Sequence, residues 1–138
     1  MKKYTLEDMK NFERDDYGFL ICPSGDYTEI SSFGERCRFG EECRFGERCS
    51  FGAGCSCENG RVFKAIVSFE GAGHVRRKTY CFLLEDDTIF VRCGCFSGTE
   101  SEFIEKVHKT HAGTPHEDVY LSFFDAAKKA LQVIAKGR

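Results

Sequence analysis

The strongest constraint on the fold of this chain is a six-residue period. Between Phe33 and Ser56 the order Phe, Gly, two variable residues, Cys and one further polar residue occurs four times, placing Phe33, Phe39, Phe45 and Phe51 in register with Gly34, Gly40, Gly46 and Gly52 and with Cys37, Cys43, Cys49 and Cys55. A period of six does not fit an α-helix, because 3.6 residues per turn would carry successive Phe residues around every face. It fits an extended chain that bends at fixed intervals and stacks on itself. Read backwards, the same phase gives hexads from Tyr27 and from Ile21, six in all. The phase fades at Cys57-Glu58-Asn59-Gly60, where a turn signal replaces the Phe-Gly pair.

Composition limits the partners. Hydrophobic residues make up 41% and charged residues 30% of the 138, the balance of a water-exposed globular protein, and no apolar run reaches the length of a membrane span. The net charge is −2 and basic residues are interspersed with acids, so neither nucleic acid nor a membrane surface is an expected partner. Met1-Lys2-Lys3 is followed by no apolar stretch, which leads us to expect no secretory signal and a cytoplasmic location. Nine cysteines would suggest disulfides or zinc, but the number is odd and four occupy one repeat position. A column of small buried thiols is the reading we favour. Cys37 and Cys55 are expected one strand spacing apart. The charged hexad residues, among them Glu35, Arg36, Arg38, Glu41, Glu42, Arg44, Glu47 and Arg48, are expected on a solvated face.

Six hexads make a short stack, so its ends need covers. Thr5 with Asp8 forms a capping signal for a short helix that brings Leu6, Met9 and Phe12 to one face. The second half has a different texture. Val62–Glu70 alternates like a half-buried strand, Lys78–Leu84 is apolar on both faces, and Glu85-Asp86-Asp87 turns into a third strand, Thr88–Cys95. Thr99 with Glu102 caps a helix carrying Phe103, Ile104 and Val107. A second helix, from about Glu117 to Ala135, has an apolar stripe of Val119, Phe123, Ala126, Ala130 and Ile134, with Tyr120, Ala127 and Leu131 beside it.

The hexads resemble those of left-handed parallel β-helix proteins, with Phe replacing the aliphatic residue and Cys the small one, a resemblance that implies three hexads to each triangular coil and so two coils from the six. Over nearly its whole length, through Gly18 to Tyr27, the Phe-Gly-x-x-Cys hexads, Val91 to Thr99 and the Glu102-Phe103 helix, the chain also resembles a group of phage and prophage proteins of gut bacteria that has no assigned activity. The expected fold is therefore α+β. A capping helix in residues 1–17 and a hexapeptide-repeat β-helix of about two coils in residues 18–58 precede an antiparallel three-stranded meander with two helices in residues 59–138. The resemblance implies a bacterial host cytoplasm or association with a virion, and the expected role is a non-enzymatic structural or interaction module of phage or prophage type that assembles as a homo-oligomer through its coils, with no cofactor.

Three chemistries compete with that role. Hexapeptide-repeat acyltransferases resemble the chain in repeat, but they need a general-base His on a coil, and His74, His108, His111 and His116 all lie outside Ile21–Ser56. A zinc site could draw on Cys55, Cys57, Cys81, Cys93 and Cys95, with His108 or His111. Its two Cys-x-Cys pairs have one intervening residue where structural zinc sites favour two to four. A thiol nucleophile, Cys93 or Cys95, could be activated by His108 or His111 and by the helix N-terminus at Thr99. The run His74-Val75-Arg76-Arg77-Lys78 is expected to be a solvated turn rather than an anion site.

Overall fold

Each hexad contributes one short strand, and strands three hexads apart pair in parallel. In the computed structural model, which describes residues 1–46, 49–72 and 78–136, these strands are β1 (Leu20–Cys22), β2 (Asp26–Tyr27), β3 (Ser32–Phe33), β4 (Cys37–Phe39), β5 (Arg44–Phe45), β6 (Ser50–Phe51) and β7 (Ser56–Cys57). Tyr27 aligns with Phe45, Phe33 with Phe51 and Arg38 with Ser56. The first strand is one residue out of phase, because Cys22 and not Ile21 aligns with Phe39. Ile21 therefore does not begin the repeat: it is 40% exposed, whereas Cys22 is buried. The reason lies in the segment Cys22 to Tyr27, which reaches the next interior position in five residues instead of six.

The aromatic rings of Tyr27, Phe33, Phe39 and Phe45 fill the interior. Phe33 and Phe51 stack at 5.0 Å, and Tyr4 stacks on Tyr27 at 5.2 Å. Phe39 meets Phe33 and Phe45 edge-on at 5.2 and 4.9 Å. Alternating stacked and T-shaped contacts let neighbouring quadrupoles attract, which is how bulky rings fit where aliphatic side chains are usual. At the fourth hexad position the backbone turns through the left-handed region, at Arg36, Glu42 and Gly54. The hexad charges are exposed, yet they are not all idle. Arg38 pairs with Asp15 at 3.1 Å and lies over the Phe19 ring, while Arg36 donates to the Tyr17 carbonyl. Together they fasten the Asp15–Phe19 segment to the coil. Glu47 and Arg48 lie outside the described residues.

At the start of the chain, α1 (Leu6–Lys10) is five residues long and carries the expected reciprocal cap between Thr5 and Asp8. Met9 is buried and Phe12 meets Tyr4 edge-on at 5.3 Å, but Leu6 is exposed.

The chain divides into two units, Met1–Lys64 and Ala65–Arg138. The division falls within β8 (Arg61–Glu70), whose first residues pair antiparallel with β7. β9 (Lys78–Leu84), β10 (Ile89–Cys93) and β11 (Phe96–Thr99) follow, giving a seven-stranded mixed sheet in the order β1-β4-β7-β8-β9-β10-β11. This corrects the three-stranded meander. The third strand does not run through Cys95: it ends at Cys93, Gly94 turns with a positive φ, and Phe96 opens a fourth strand opposite Cys93. A tight two-residue hairpin needs a residue that tolerates positive φ, which Gly94 provides.

α2 (Glu100–His111) begins at the Thr99 cap with its Glu102 partner, and α3 (Pro115–Lys136) follows. Phe103 and Val107 from α2 and Tyr120, Phe124, Ala127 and Leu131 from α3 are buried with Cys81, Val91 and Cys93. The apolar stripe of α3 is thus centred on the Tyr120, Ala127 and Leu131 line. Phe123, Ala126 and Ala130 are exposed, and Ile134 and Val119 are only half-buried. Both lines have helical spacing, and packing against Phe103 puts the Tyr120 and Phe124 rings in the interior.

Candidate functional site

The second unit holds a concavity that gathers chemistry. It encloses about 380 Å³, solvent at its mouth included, and is lined by Cys93, Phe96, Phe103, Lys106, Val107, Thr110, His111 and Tyr120. The helical spacing of α2 explains the arrangement. Phe103 and Val107 face inward, while Lys106 and Thr110, four apart on the neighbouring line, stand exposed at the rim. His111, at the last turn, stacks on the Tyr120 ring at 5.2 Å with 25° between planes. His116, from the start of α3, lies edge-on to His111 at 5.6 Å and hydrogen-bonds through Nδ1 to the Ala72 carbonyl at 3.2 Å.

Cys93 forms the floor. It is 8% exposed at the end of β10, its sulfur accepts from the Thr79 hydroxyl at 3.2 Å, and the Tyr120 hydroxyl lies 3.9 Å away. Cross-strand pairing places Thr79 there, since Cys93 sits opposite Thr79 on β9. Of the predicted thiol and imidazole groups, the fold therefore brings Cys93 and His111 to one pocket. It assigns the other two elsewhere: Cys95 is exposed in the hairpin turn, and the His108 ring meets the Glu117 carboxylate at 2.9 Å. His108 in turn holds the Glu117 carboxyl below the usual range. Cys93 and Cys95 are not paired on one strand face, because Gly94 reverses the chain between them.

Sequence reading missed Tyr120 and Thr79 as members of this group. Tyr120 was visible only as part of an apolar stripe, and nothing local links Thr79 to Cys93.

The remaining thiols belong to packed interiors. Cys55 and Cys57 are buried in the first unit, and Cys81 is buried in the second, where desolvation pushes its thiol up to about 12. In the coil, hydrogen bonding with the Cys22 thiol, together with burial, pushes Cys37 up to about 11. Hydrogen bonding with Cys37, followed by burial, pushes Cys55 up as well. Each hexad thiol also has a backbone acceptor. Cys43 reaches the Gly40 carbonyl at 3.2 Å, Cys49 the Gly46 carbonyl at 3.1 Å and Cys55 the Gly34 carbonyl at 3.3 Å. The thiols of Cys37, Cys55 and Cys81, all pushed up, stay protonated near neutral pH.

Among the described residues, no group of three His, Cys, Asp or Glu side chains is arranged to hold a metal ion. Of the basic run from His74 to Lys78, only Lys78 lies within the described residues. No helix among the described residues is long and apolar enough to cross a membrane. Compared with models of known families, with curated proteins and with solved structures, the chain gives no match.

Proposed function

We propose that this protein is a non-enzymatic structural and interaction module of phage or prophage type, acting in the bacterial cytoplasm. Its first unit, in this reading, is a short left-handed parallel β-helix of the hexapeptide-repeat class. The observation that carries the reading is the parallel pairing of strands three hexads apart around an aromatic interior. A stack of this kind offers regular edges rather than a cleft. β2-β5 and β3-β6 are two-stranded among the described residues, so β5 and β6 each end a ladder. Such edges are templates for further strand addition. Copies of the chain pairing there would extend the coil, and this heterologous contact would give a closed ring or a short stack.

Native mass spectrometry of the full chain, purified under reducing conditions, tests this reading. A metal-free oligomer is the expected result. A monomer across the micromolar range would overturn self-association, and a monomer carrying one zinc ion would replace the reading with a metal site at the Cys-x-Cys pairs.

A further inference from the structure

The pocket of the second unit has features that an assembly module does not call for. Its floor carries one sulfur, Cys93, with the Thr79 hydroxyl donating at 3.2 Å and the Tyr120 hydroxyl 3.9 Å away. Both groups are hydroxyls, able to donate to this sulfur, the Tyr120 contact being the longer. Phe96 and Phe103, with ring centroids 5.9 Å apart, give one wall an aromatic surface. Lys106, Thr110 and His111 line the same pocket from α2 and supply one fixed positive charge and polar groups. A floor nucleophile, an apolar wall and a cationic rim match a small ligand with an apolar body and an anionic end.

We propose that Cys93 is a thiol-modification site that exchanges with small anionic disulfides, the apolar part resting on Phe96 and Phe103 and the carboxylate meeting Lys106 and His111. The chemistry balances without a further reagent. The Cys93 thiol gives its proton to solvent, and the thiolate attacks one sulfur of the disulfide. A new S–S bond forms to Cys93 as the original S–S bond breaks, and the second half leaves as a thiolate with the electron pair. Cys93 is oxidised and the departing half is reduced. Of the eight other cysteines, Cys22, Cys37, Cys43, Cys55, Cys57 and Cys81 are buried, Cys49 is half-buried with its thiol bonded to the Gly46 carbonyl at 3.1 Å, and Cys95 is exposed; the thiols of Cys37, Cys55 and Cys81 are also pushed well up.

The probe is dithiobis-nitrobenzoate, an aromatic disulfide bearing carboxylates, added to the full-length Cys95→Ser protein under native conditions. One adduct per chain is expected, and peptide mapping should place it on Cys93. Lys106→Ala should slow this reaction about threefold, the factor that one unit charge produces at ~6 Å in near-aqueous surroundings. The same substitution should leave the rate with uncharged dithiodipyridine unchanged. Added salt should reproduce the selective slowing without any substitution, since it screens the same charge. Absence of an adduct on Cys93, modification of a coil thiol in its place, or equal slowing of both reagents would overturn the proposal.

Discussion

Gly34 and Gly52 occupy the same place in the same repeat, yet the stacking of the coils gives them opposite roles. A Cβ added at Gly52 would lie 2.5 Å from the Glu35 nitrogen and 2.6 Å from the Gly34 carbonyl carbon, both backbone atoms of the preceding coil. One added at Gly34 meets nothing within 4 Å. Gly52→Ala must push the coils apart at β6, where the Gly52 N–H donates to the Phe33 carbonyl at 2.9 Å. Overpacking costs about 1–3 kcal/mol and the weakened hydrogen bond adds about 1 kcal/mol, so a loss of about 3 kcal/mol is expected. With a urea slope of about 2 kcal/mol per molar, the unfolding midpoint falls by about 1.5 M. Gly34→Ala should move the other way, by about 0.4–1 kcal/mol of stabilisation, because Ala restricts the unfolded chain and meets no clash. Urea unfolding followed by circular dichroism, with hydrogen exchange of peptides from the hexads, reads both variants. If the two shift in the same direction, or Gly52→Ala lies within about 0.5 kcal/mol of the parent, the three-hexad stacking is wrong.

The interior aromatic column should respond to truncation by depth. Phe45→Ala removes a buried ring that touches Tyr27, Phe33, Phe39 and Phe51 and should cost about 3–5 kcal/mol by chemical unfolding, with Phe51→Ala, which is half-buried, costing visibly less. Asp15 accepts from the Phe19 and Tyr17 N–H groups at 3.0 and 2.9 Å and pairs with Arg38, and these interactions lower its carboxyl from the ordinary range. A depressed folded-state value stabilises above the unfolded value near 4 and is lost as pH falls through the folded one, so Asp15→Asn should flatten the loss of stability measured between neutral and strongly acidic pH. At Cys43, buried with its thiol 3.2 Å from the Gly40 carbonyl, Ser keeps a donor and should cost about 1 kcal/mol. Val at the same position presses a methyl on that oxygen and should cost about 2–3 kcal/mol in the same unfolding assay. The reverse order would mean that the thiol only fills space.

What the sequence revealed was local. The Thr5-Asp8 and Thr99-Glu102 caps are signals spanning three residues, and both helix starts stand where they predict. The hexad phase survived because each Phe carries its own large burial preference, from Phe33 through Phe45. It failed at Ile21, where a five-residue step shifts the interior to Cys22 and no side chain announces the deletion. It failed again at Cys95, since one glycine decides between a continuous strand and a hairpin. The stripe of α3 was displaced by one line because Tyr120 and Phe123 are both apolar at helical spacing, and only packing against Phe103 chooses between them. The approach of Cys93, Thr79, Tyr120 and His111 draws on β10, β9, α3 and α2. No periodicity within one element could have shown it.

The nine cysteines fall into groups by what surrounds the sulfur rather than by where they sit in sequence. In the hexads the thiol is a donor: Cys43 and Cys49 reach the carbonyl three residues back, at 3.2 and 3.1 Å, and also approach a carbonyl of the preceding coil, Pro23 at 3.7 Å and Ile30 at 3.4 Å. A deprotonated sulfur there would face those oxygens with no proton to share, so the backbone itself disfavours the reactive form. Cys93 is the inverse case, since its neighbours are hydroxyls, which donate to a sulfur as readily as they accept from one. Carbonyl oxygens suit a thiol that packs, and hydroxyls suit a thiol that reacts. The same residue type can therefore build the coil of the first unit and furnish a chemical site in the second without the two roles interfering.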